Sequence, residues 1–290
     1  MTPSTIDPPR EAFWDVPLAR AAWVFFDLEM TGLDPARDAI CELAAIRVEG
    51  GVEVARLTSL VRAPSVGASS AVHGITDEAL EGAPELAALA PAWRALLDGA
   101  IAVGHRVAFD LAFLHAARAR GALDAPAHAI DTHALAQRCL HASSYGLRGL
   151  CAELGLAAPR HRAEPDAESC RALFGVVTER LRAATPRHLW QAQQSLRPPI
   201  VRDDVRDAIA IAHERRSVVR FAYRVPGRAP TEDVLEPWAI AWPRVEGRVR
   251  GKAVTRTLRG DRFLWAEALE ARFDTPPRFV SALLASEASS

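Results

Sequence analysis

The chain has 290 residues, of which 49% are apolar and 24% charged, and its formal net charge is −1 at pH 7. This composition is that of a globular protein and not of a disordered one, and the length suits two domains better than one. No apolar run approaches the ~20 residues of a membrane helix, and the first twenty residues mix acids with four prolines, unlike a signal peptide, so we expect a cytoplasmic protein without a membrane partner.

The charge is distributed unevenly along the chain. Residues 1–185 carry 17 arginines and no lysine against 23 acidic residues, whereas residues 186–290 carry 18 basic against 13 acidic residues. We therefore expect the two parts to have different roles. A polyanion would be attracted to the second part and repelled by the first, unless metal ions invert the local charge there.

Three strands are predicted at the start of the chain. The run W-V-F-F-D-L-E-M-T-G-L at 23–33 reads as a buried strand that ends in a turn at its Thr-Gly pair. Two further strands are predicted at 40–48 and 52–61, and the sequence Glu-Gly-Gly between them is typical of a hairpin turn.

Helices are predicted to follow these strands. Thr76 is placed to cap a short helix, and a short strand is expected at 101–103. Helical periodicity predicts five longer helices, at 83–98 with Pro84 in its first turn, 107–120, 130–140, 145–154 and 165–183. This pattern of strands followed by helices predicts an α/β domain over residues 20–184.

The last third of the chain has a different pattern. Residues 185–202 combine three prolines and three glutamines with little periodicity, which favours a linker. Beyond it we expect a helix and several short strands separated by Pro and Gly turns, which together predict a small, mostly β domain over residues 203–280. The helix is predicted at 205–214 and the strands at 218–224, 234–241, 249–258 and 263–273.

Acidic residues lie at the ends of several predicted elements. Because alternate side chains of a strand share a face, Asp27 and Glu29 point the same way, and two adjacent anions favour a cation. Asp110 lies early in a helix, and Pro165 fixes a helix start that places Asp166 in its first turn. The loop before it carries His161, whose imidazole suits a general base. Taken singly, each of these residues is more commonly a surface or capping residue.

Four ordered motifs resemble those of the DEDDh exonucleases. This family includes relatives of the proofreading ε subunit of bacterial DNA polymerase III and has a ribonuclease H-like fold. The first motif is also similar to that of oligoribonuclease, a family member that acts on short RNA. The motifs are D-L-E-M-T-G-L at 27–33, V-H-G-I-T at 72–76, G-H-R-V-A-F-D at 104–110 and H-R-A-E-P-D-A at 161–167.

The resemblance implies a fold and an active site. The expected fold is a ribonuclease H-like mixed sheet flanked by helices, with the small β domain following. The catalytic residue His161 would deprotonate the attacking water. Two divalent cations, Mg²⁺ or Mn²⁺, would stabilise the attacking and leaving oxygens of a phosphodiester displacement, and their implied ligands are Asp27, Glu29, Asp110 and Asp166.

The resemblance also implies contacts to the terminal nucleotide. Main-chain groups of Met30 and Thr31 and the side chain of Leu33 would line it, with His73 and Phe109 nearby. For Leu33 and Phe109, core packing remains an equal alternative. The family usually has Asn after the histidine of the third motif, where this chain has Arg106. We expect altered substrate contacts there and not a loss of activity.

The C-terminal part resembles a WYL domain, a small barrel found in bacterial regulators and nucleic-acid enzymes. The Trp-Tyr-Leu triplet of that family is absent, and V-R-G-K at 249–252 stands in its place. The matching segments are R-F-A-Y at 220–223, L-E-P-W at 235–238 and L-R-G-D-R-F at 258–263.

Three basic residues of this part are candidate nucleic-acid contacts. Arg248, Arg250 and Lys252 alternate along a predicted strand, so that they share one face. Such a basic strip near tryptophans could follow a nucleic-acid backbone. A solvated strand face over a Trp-containing core is the alternative.

The sequence therefore predicts a metal-dependent 3′→5′ exonuclease. Its substrates would be single-stranded or frayed 3′ ends, of DNA first and of short RNA second, and its products nucleoside 5′-monophosphates. Partners would include a DNA polymerase or a repair complex. The alternative is a regulatory binding protein whose WYL-like domain senses a nucleic acid or nucleotide, with the nuclease fold as a scaffold. The complete set of acids argues against that alternative.

Overall fold

The computed structural model describes residues 7–194, 200–252, 254–276, 279–281 and 283. Over these residues the chain divides into two compact units. The first comprises Met1–Ala134, Ala142–Val176 and Thr185–Arg187, and the second comprises Leu135–His141, Val177–Ala184 and His188–Ser290. No helix in the described part of the chain is long and apolar enough to cross a membrane.

The first unit contains a mixed five-stranded sheet in the order β3-β2-β1-β4-β5. Strands β1, β2 and β3 are antiparallel, as an opening hairpin requires, whereas β4 and β5 run parallel to β1. The strands are β1 (Ala22–Met30), β2 (Ile40–Glu49), β3 (Val52–Leu60), β4 (Ile101–Gly104) and β5 (Ala129–Asp131). The first four strands confirm the predicted ones.

Strand β5 corrects the sequence prediction, which placed residues 130 and 131 at the start of a helix. The strand has only three residues, too few for alternation to appear in the sequence, and the helix begins directly after it at Thr132. No turn residue therefore separates the strand from the helix in the sequence. The pairing of Ala129 with Ala102 and of Ile130 with Val103 fixes the strand in the sheet.

The predicted helices before residue 185 are all present, although one of them starts later than predicted and the short helix Ser70–His73 was not predicted. The predicted helix 83–98 begins only at Ala90, because a 3-10 turn at Leu86–Leu89 precedes it, and Pro91 and not Pro84 lies in its first turn. Thr76 caps α2 as predicted, since its hydroxyl accepts a hydrogen bond from Ala79 N. The helices are α1 (Ser70–His73), α2 (Asp77–Leu80), α3 (Ala90–Leu97), α4 (Ala108–Ala119), α5 (Thr132–Cys139), α6 (Leu147–Leu154), α7 (Ala163–Leu181) and α8 (Pro186–Gln194).

Helix α8 lies within the segment 185–202 that the sequence favoured as a linker. Pro186 is its first residue, a position at which the missing N–H of proline is tolerated. The role of the segment as a linker stays a prediction.

The central strand β1 is covered on both faces for its first half. On one face Trp23 and Phe25 pack against Phe174, with ring centroids 4.7 and 5.3 Å apart. On the other face Phe26 packs edge-on against Trp93 at 5.7 Å. Each buried aromatic side chain contributes roughly 1.5–3 kcal/mol to the hydrophobic stabilisation. The strand is therefore held firmly in the core up to the point where its acidic residues begin.

The second unit contains helix α9 and an antiparallel five-stranded sheet in the order β10-β6-β7-β8-β9. This confirms the predicted small, mostly β region, and its resemblance to a WYL domain stays a prediction. The elements are α9 (Asp203–Arg215), β6 (Ser217–Tyr223), β7 (Thr231–Ala241), β8 (Arg244–Val249), β9 (Thr255–Arg259) and β10 (Phe263–Arg272).

The predicted strand 249–258 is wrong, because it spans the turn between two strands. Strand β8 ends at Val249 and β9 begins only at Thr255. Gly251 lies between them with φ +75°, a left-handed conformation that glycine adopts without a steric penalty. A glycine inside an apparent strand was the sequence signal for this turn.

Candidate active site

The predicted shared face of Asp27 and Glu29 is confirmed. Both side chains are partly exposed, whereas Leu28 between them is 4% exposed and packs in the core. The alternation begins directly after Phe26, at the carboxyl end of β1. The strand therefore presents two carboxylates on one face while its other face stays anchored in the core.

Asp166 completes a cluster of three carboxylates. Ligand oxygens of Asp27, Glu29 and Asp166 all lie within 4.8 Å of one another. Asp166 lies in the first turn of α7, as predicted. Its Oδ1 accepts a hydrogen bond of 2.7 Å from Arg160 N, which fixes the side chain. The position of this carboxylate is therefore restrained by the loop that precedes α7.

Asp110 lines the same cleft from the first turn of α4. It is 7% exposed, and the nearby backbone of Leu28 acts to lower the pKa of its carboxyl group, against the larger effect of burial. Its charge acts on Asp27, whose pKa it helps to raise. The structure thus brings together all four predicted acids, although Asp110 is not one of the three that form the tightest cluster.

Burial and mutual repulsion raise the pKa values of these acids. Burial, followed by the charges of neighbouring carboxylates, raises the pKa of Asp27 well above its usual value. The same causes raise the pKa of Glu29 to about 8, and burial raises that of Asp110 to about 7. Burial also raises the pKa of Asp166, against the hydrogen bond from Arg160 N and the nearby His161. At neutral pH the cluster therefore favours binding of protons or of a cation.

The donor set fits a hard divalent cation. The cluster offers only carboxylate oxygens, which Mg²⁺ and Mn²⁺ prefer as ligands. A bound cation would also remove the repulsion that raises the pKa values of Asp27 and Glu29. Asp27, Glu29 and Asp166, with Asp110 beside them, are the residues that could hold it.

His161 lies at the cleft in the loop before α7, as predicted. Its side chain is exposed, so it can reach a water molecule, and its backbone has φ +56°, an uncommon conformation for a residue with a Cβ. The residues on both sides are anchored. Arg160 N donates to Asp166, and the Arg162 side chain binds Glu42.

The ion pair between Glu42 and Arg162 is a feature that the sequence analysis missed. Glu42 on β2 is 3% exposed, and Arg162 donates to it through Nε at 3.0 Å and Nη2 at 2.5 Å. Ala163 N also donates to Glu42 Oε2, at 2.9 Å. A lone acid in the apolar strand I-C-E-L-A-A-I was the available signal, because a buried carboxylate needs a partner.

The loop after β1 is held closed by local hydrogen bonds. Thr31 N donates to Ala39 O at 2.9 Å, and Ala39 N donates to Thr31 Oγ1 at 3.0 Å. A Cβ at Gly32 would lie 2.3 Å from Asp38 Oδ2, so only glycine fits there. The Thr31 hydroxyl is thus engaged by a hydrogen bond within the loop, and the side chain of Leu33 extends out of the loop.

Leu33 and Phe109 are both exposed at the cleft, which excludes core packing for either. Leu33 is 82% exposed and Phe109 is 41% exposed, and both line the cleft. The Phe109 ring is supported edge-on by buried Phe113, with centroids 5.3 Å apart. Together the two side chains form an apolar lip, suited to the flat face of a base.

His73 and Met30 are buried at the edge of the cleft. Ile75 N donates to His73 Nδ1 at 3.1 Å, so Nε2 carries the proton and donates to Ser69 Oγ at 3.0 Å. Burial lowers the pKa of His73, which keeps the ring neutral. These hydrogen bonds hold the segment that carries α1 in place at the edge of the cleft.

His105 was not among the predicted site residues, yet it lines the cleft, as does Arg106, where altered substrate contacts were expected. The His105 ring lies between the Thr132 hydroxyl and the Tyr145 carbonyl, each 3.0 Å away. Burial lowers the pKa of His105 to about 4, so this residue is neutral. Arg106 is exposed and has φ +58°.

The cleft has a volume of about 750 Å³, within the range of small-molecule sites. Its floor is the acid cluster and its rim combines the apolar lip with two short helical segments. The described residues that line it are Asp27, Leu28, Glu29, Met30, Thr31, Gly32, Leu33, Ala68, Ser69, Val72, His73, His105, Arg106, Phe109, Asp110, His161 and Asp166. Every catalytic and substrate-contact residue predicted from the sequence of the first domain is among them.

The three basic residues of the second unit do not share a strand face, contrary to the prediction. Arg248 lies on β8, whereas Arg250 and Lys252 lie in the turn beyond it. Arg248 and Arg250 both approach the buried Glu236, with N–O distances of 3.0 and 3.8 Å. The predicted alternation of the three side chains along one strand does not occur, because the chain turns at Gly251.

Comparison with known proteins assigns the first unit to a family. Residues 24–174, just over half of the chain, match the family model RNase_T, described as Exonuclease. The matched range contains both the acid cluster and the loop with His161. The chain belongs to this exonuclease family, a class of nuclease hydrolases.

Two relatives in bacterial replication are similar to this chain. The DNA polymerase III subunit epsilon of Treponema pallidum is 32% identical over 163 residues, which cover 53% of this chain and 74% of that protein. The DNA polymerase III PolC-type of Thermotoga petrophila is 35% identical over 171 residues, or 57% of this chain. The match spans only 12% of that PolC-type protein.

A solved structure shares the fold. The crystal structure of E. coli exonuclease I in complex with a dT13 oligonucleotide aligns with a TM-score of 0.52 at 16% identity. The alignment covers 79% of this chain and 55% of that one. It agrees with the ribonuclease H-like mixed sheet flanked by helices.

Proposed function

We propose that this protein is a metal-dependent 3′→5′ exonuclease of the DEDDh type. It would act on single-stranded or frayed 3′ ends, with DNA as the first choice and short RNA as the second. The observation that carries the proposal is the cluster of Asp27, Glu29 and Asp166, whose ligand oxygens lie within 4.8 Å of one another. This cluster forms the floor of a cleft in a chain of the exonuclease family.

The chemistry is a hydrolysis of the terminal phosphodiester bond. His161 accepts the proton of a water molecule whose oxygen attacks phosphorus, and the bond from phosphorus to the 3′ oxygen breaks. The products are a nucleoside 5′-monophosphate and a strand with a new 3′ hydroxyl, whose proton comes from solvent. Bound divalent cations at Asp27, Glu29, Asp110 and Asp166 would stabilise negative charge on the attacking and leaving oxygens.

The residues at the rim position the terminal nucleotide. Leu33 and Phe109 expose apolar surface on which the terminal base stacks. Met30 and Thr31 line the same space, and their main-chain groups would contact the nucleotide. His73 acts indirectly, because its hydrogen bonds to Ser69 and from Ile75 hold the wall of the cleft.

The second unit contributes nucleic-acid affinity in this proposal. Of the three basic candidates, Arg248 and Arg250 are paired with Glu236, whereas Lys252 has no ion-pair partner among the described residues. Lys252→Ala should therefore flatten the salt dependence of oligonucleotide binding by about 0.7 in a log–log plot. An unchanged slope would remove Lys252 from the proposal.

The names of the relatives favour association with a DNA polymerase.

Digestion of 5′-labelled single-stranded DNA and RNA of matched sequence tests the proposal. The reactions contain Mg²⁺, Mn²⁺ or a chelator, with Asp166→Ala alongside. We expect a ladder that shortens from the 3′ end only with metal, and a rate at least about 10³-fold lower in the variant. If neither strand were degraded with any metal, the regulatory binding protein would become the better account.

A further inference from the structure

Arg106 occupies a backbone conformation that does not suit an arginine. Its φ of +58° is in the left-handed region, which side chains with a Cβ rarely adopt and which short polar residues such as Asn tolerate best. Over the described part of the chain, three other non-glycine residues have a positive φ. They are His161, Arg182 and Arg216.

The backbone at Arg106 requires this conformation, but it does not require this side chain. Arg106 N donates to Asp131 Oδ1 at 2.9 Å, and Arg106 O accepts from Phe109 N at 3.0 Å in the turn that starts α4. Arg106 takes part in both contacts through its main-chain atoms only. In the described residues, no hydrogen bond or ion pair engages the guanidinium group, which is exposed at the cleft.

The charge of Arg106 is unusual for its surroundings. Among the described residues that line the cleft, it is the only lysine or arginine, and the same cleft is lined by four carboxylates. The nearby His105 is neutral, because burial lowers its pKa to about 4. A strand entering the cleft would therefore meet one permanent cation at the rim, three residues before the exposed Phe109.

We propose that Arg106 is a substrate-binding residue whose guanidinium binds a backbone phosphate of the strand whose 3′ end occupies the cleft. A guanidinium is well suited to phosphate, because its planar array of donors matches two phosphate oxygens. The inference rests on the proposed exonuclease function and extends it to a contact with the strand. In this account the unfavourable backbone conformation persists because the side chain binds substrate.

Stability and substrate binding should therefore change in opposite directions in Arg106→Asn. Asparagine suits the left-handed backbone, so the variant should unfold at a temperature about 1–3 °C higher. Loss of one phosphate contact should raise KM about tenfold on a dT oligonucleotide with Mg²⁺. It should also flatten the log–log salt dependence of kcat/KM by about 0.7, with kcat within about twofold.

Two further variants separate the loss of phosphate binding from the relief of the unfavourable backbone conformation. Arg106→Gln keeps the unfavourable backbone and removes the charge, so it should raise KM without raising Tm. Arg216→Asn is the matched control, because Arg216 is an exposed arginine with φ +51° at the end of α9. It should raise Tm by a similar amount and leave KM and its salt dependence unchanged.

The outcomes distinguish this inference from the proposed function. An active wild-type enzyme whose KM and salt dependence are unaffected by Arg106→Asn and Arg106→Gln would overturn the role of Arg106 alone. A wild-type protein that degrades no oligonucleotide would overturn the proposed function and this inference with it. A raised KM accompanied by a lowered Tm in Arg106→Asn would also count against it, since a damaged fold would then explain the loss.

Discussion

The carboxylates at the end of β1 lower the stability of the folded protein when they are ionised. Burial and the neighbouring acids raise the pKa of Glu29 from an ordinary 4.5 to about 8. The folded protein therefore holds protons that the unfolded chain releases between these two pH values. Stability consequently falls as the pH rises through this window, because the ionised cluster repels itself.

We predict that stability in chelator falls between pH 5 and pH 8, and that Mg²⁺ restores it most strongly at pH 8. Glu29→Gln removes one of the repelling charges, so at pH 8 in chelator it should raise Tm by about 3 °C. The same variant should respond less to Mg²⁺ and lose most of its activity. Thermal unfolding monitored by circular dichroism measures each of these changes.

Glu81→Gln is the control for this experiment, since Glu81 is an exposed acid away from the cleft. Its unfolding temperature should follow that of the wild type at each pH. A wild-type Tm that rises from pH 5 to pH 8 in chelator would contradict the electrostatic account.

At the residue scale, the sequence predicted the acids and the histidine because strand alternation and a helix start fix their directions. Asp27 and Glu29 share a face because side chains alternate along a strand, and Pro165 indicates the start of the helix whose first turn carries Asp166. The partner of Glu42 could not be found this way. Arg162 lies 120 residues further along the chain, and no local rule connects the two.

The loop before α7 is the element on which the proposed general base, His161, depends. His161 has a left-handed backbone, and the loop is tied down by Asp166 on one side and by Glu42 on the other. Because Arg162 is the direct neighbour of His161, its ion pair with Glu42 restrains the backbone from which the imidazole extends. We infer that Arg162 is a positioning residue that does not touch substrate.

Arg162→Gln should lower kcat about tenfold while KM stays within about twofold, because a displaced base slows the chemical step and leaves the binding surfaces intact. Arg162→Lys, which keeps the charge, should recover part of the loss. Steady-state kinetics at saturating Mg²⁺ measure both variants, together with the pH profile of kcat.

Arg171→Gln provides the comparison on the same helix. Arg171 pairs with Glu53 and Glu168 at N–O distances of 3.4 and 3.7 Å, away from the cleft. It should leave kcat unchanged. Equal losses in Arg162→Gln and Arg171→Gln would show that only the stability of α7 matters.

At the element scale, the sequence predicted long periodic elements and failed at short or interrupted ones. Strands β1 to β3 were found because each has nine or ten residues with a clear apolar pattern. Strand β5 has three residues and continues directly into a helix, so its pattern cannot be separated from that of α5. The turn at Gly251 was overlooked because the residues on both sides favour strands.

At the scale of the whole molecule, the uneven charge agrees with a division of tasks. The first unit holds an acid cluster that needs cations before a polyanion can approach. Several basic residues of 186–290 are engaged in internal ion pairs, such as Arg248 with Glu236 and Arg259 with Asp261. The number of basic residues alone therefore overstates how many are available to bind a polyanion, although the net excess of positive charge is unchanged by such pairs.

The proposed reaction uses water to release nucleoside 5′-monophosphates from a 3′ end. It can be tested by hydrolysis of a single-stranded oligonucleotide in H₂¹⁸O with Mg²⁺, followed by mass spectrometry of the products. We expect one ¹⁸O atom in the phosphate of each released 5′-monophosphate, and no release by Asp27→Asn. Products that carry a 3′-phosphate, or release from the 5′ end, would contradict it.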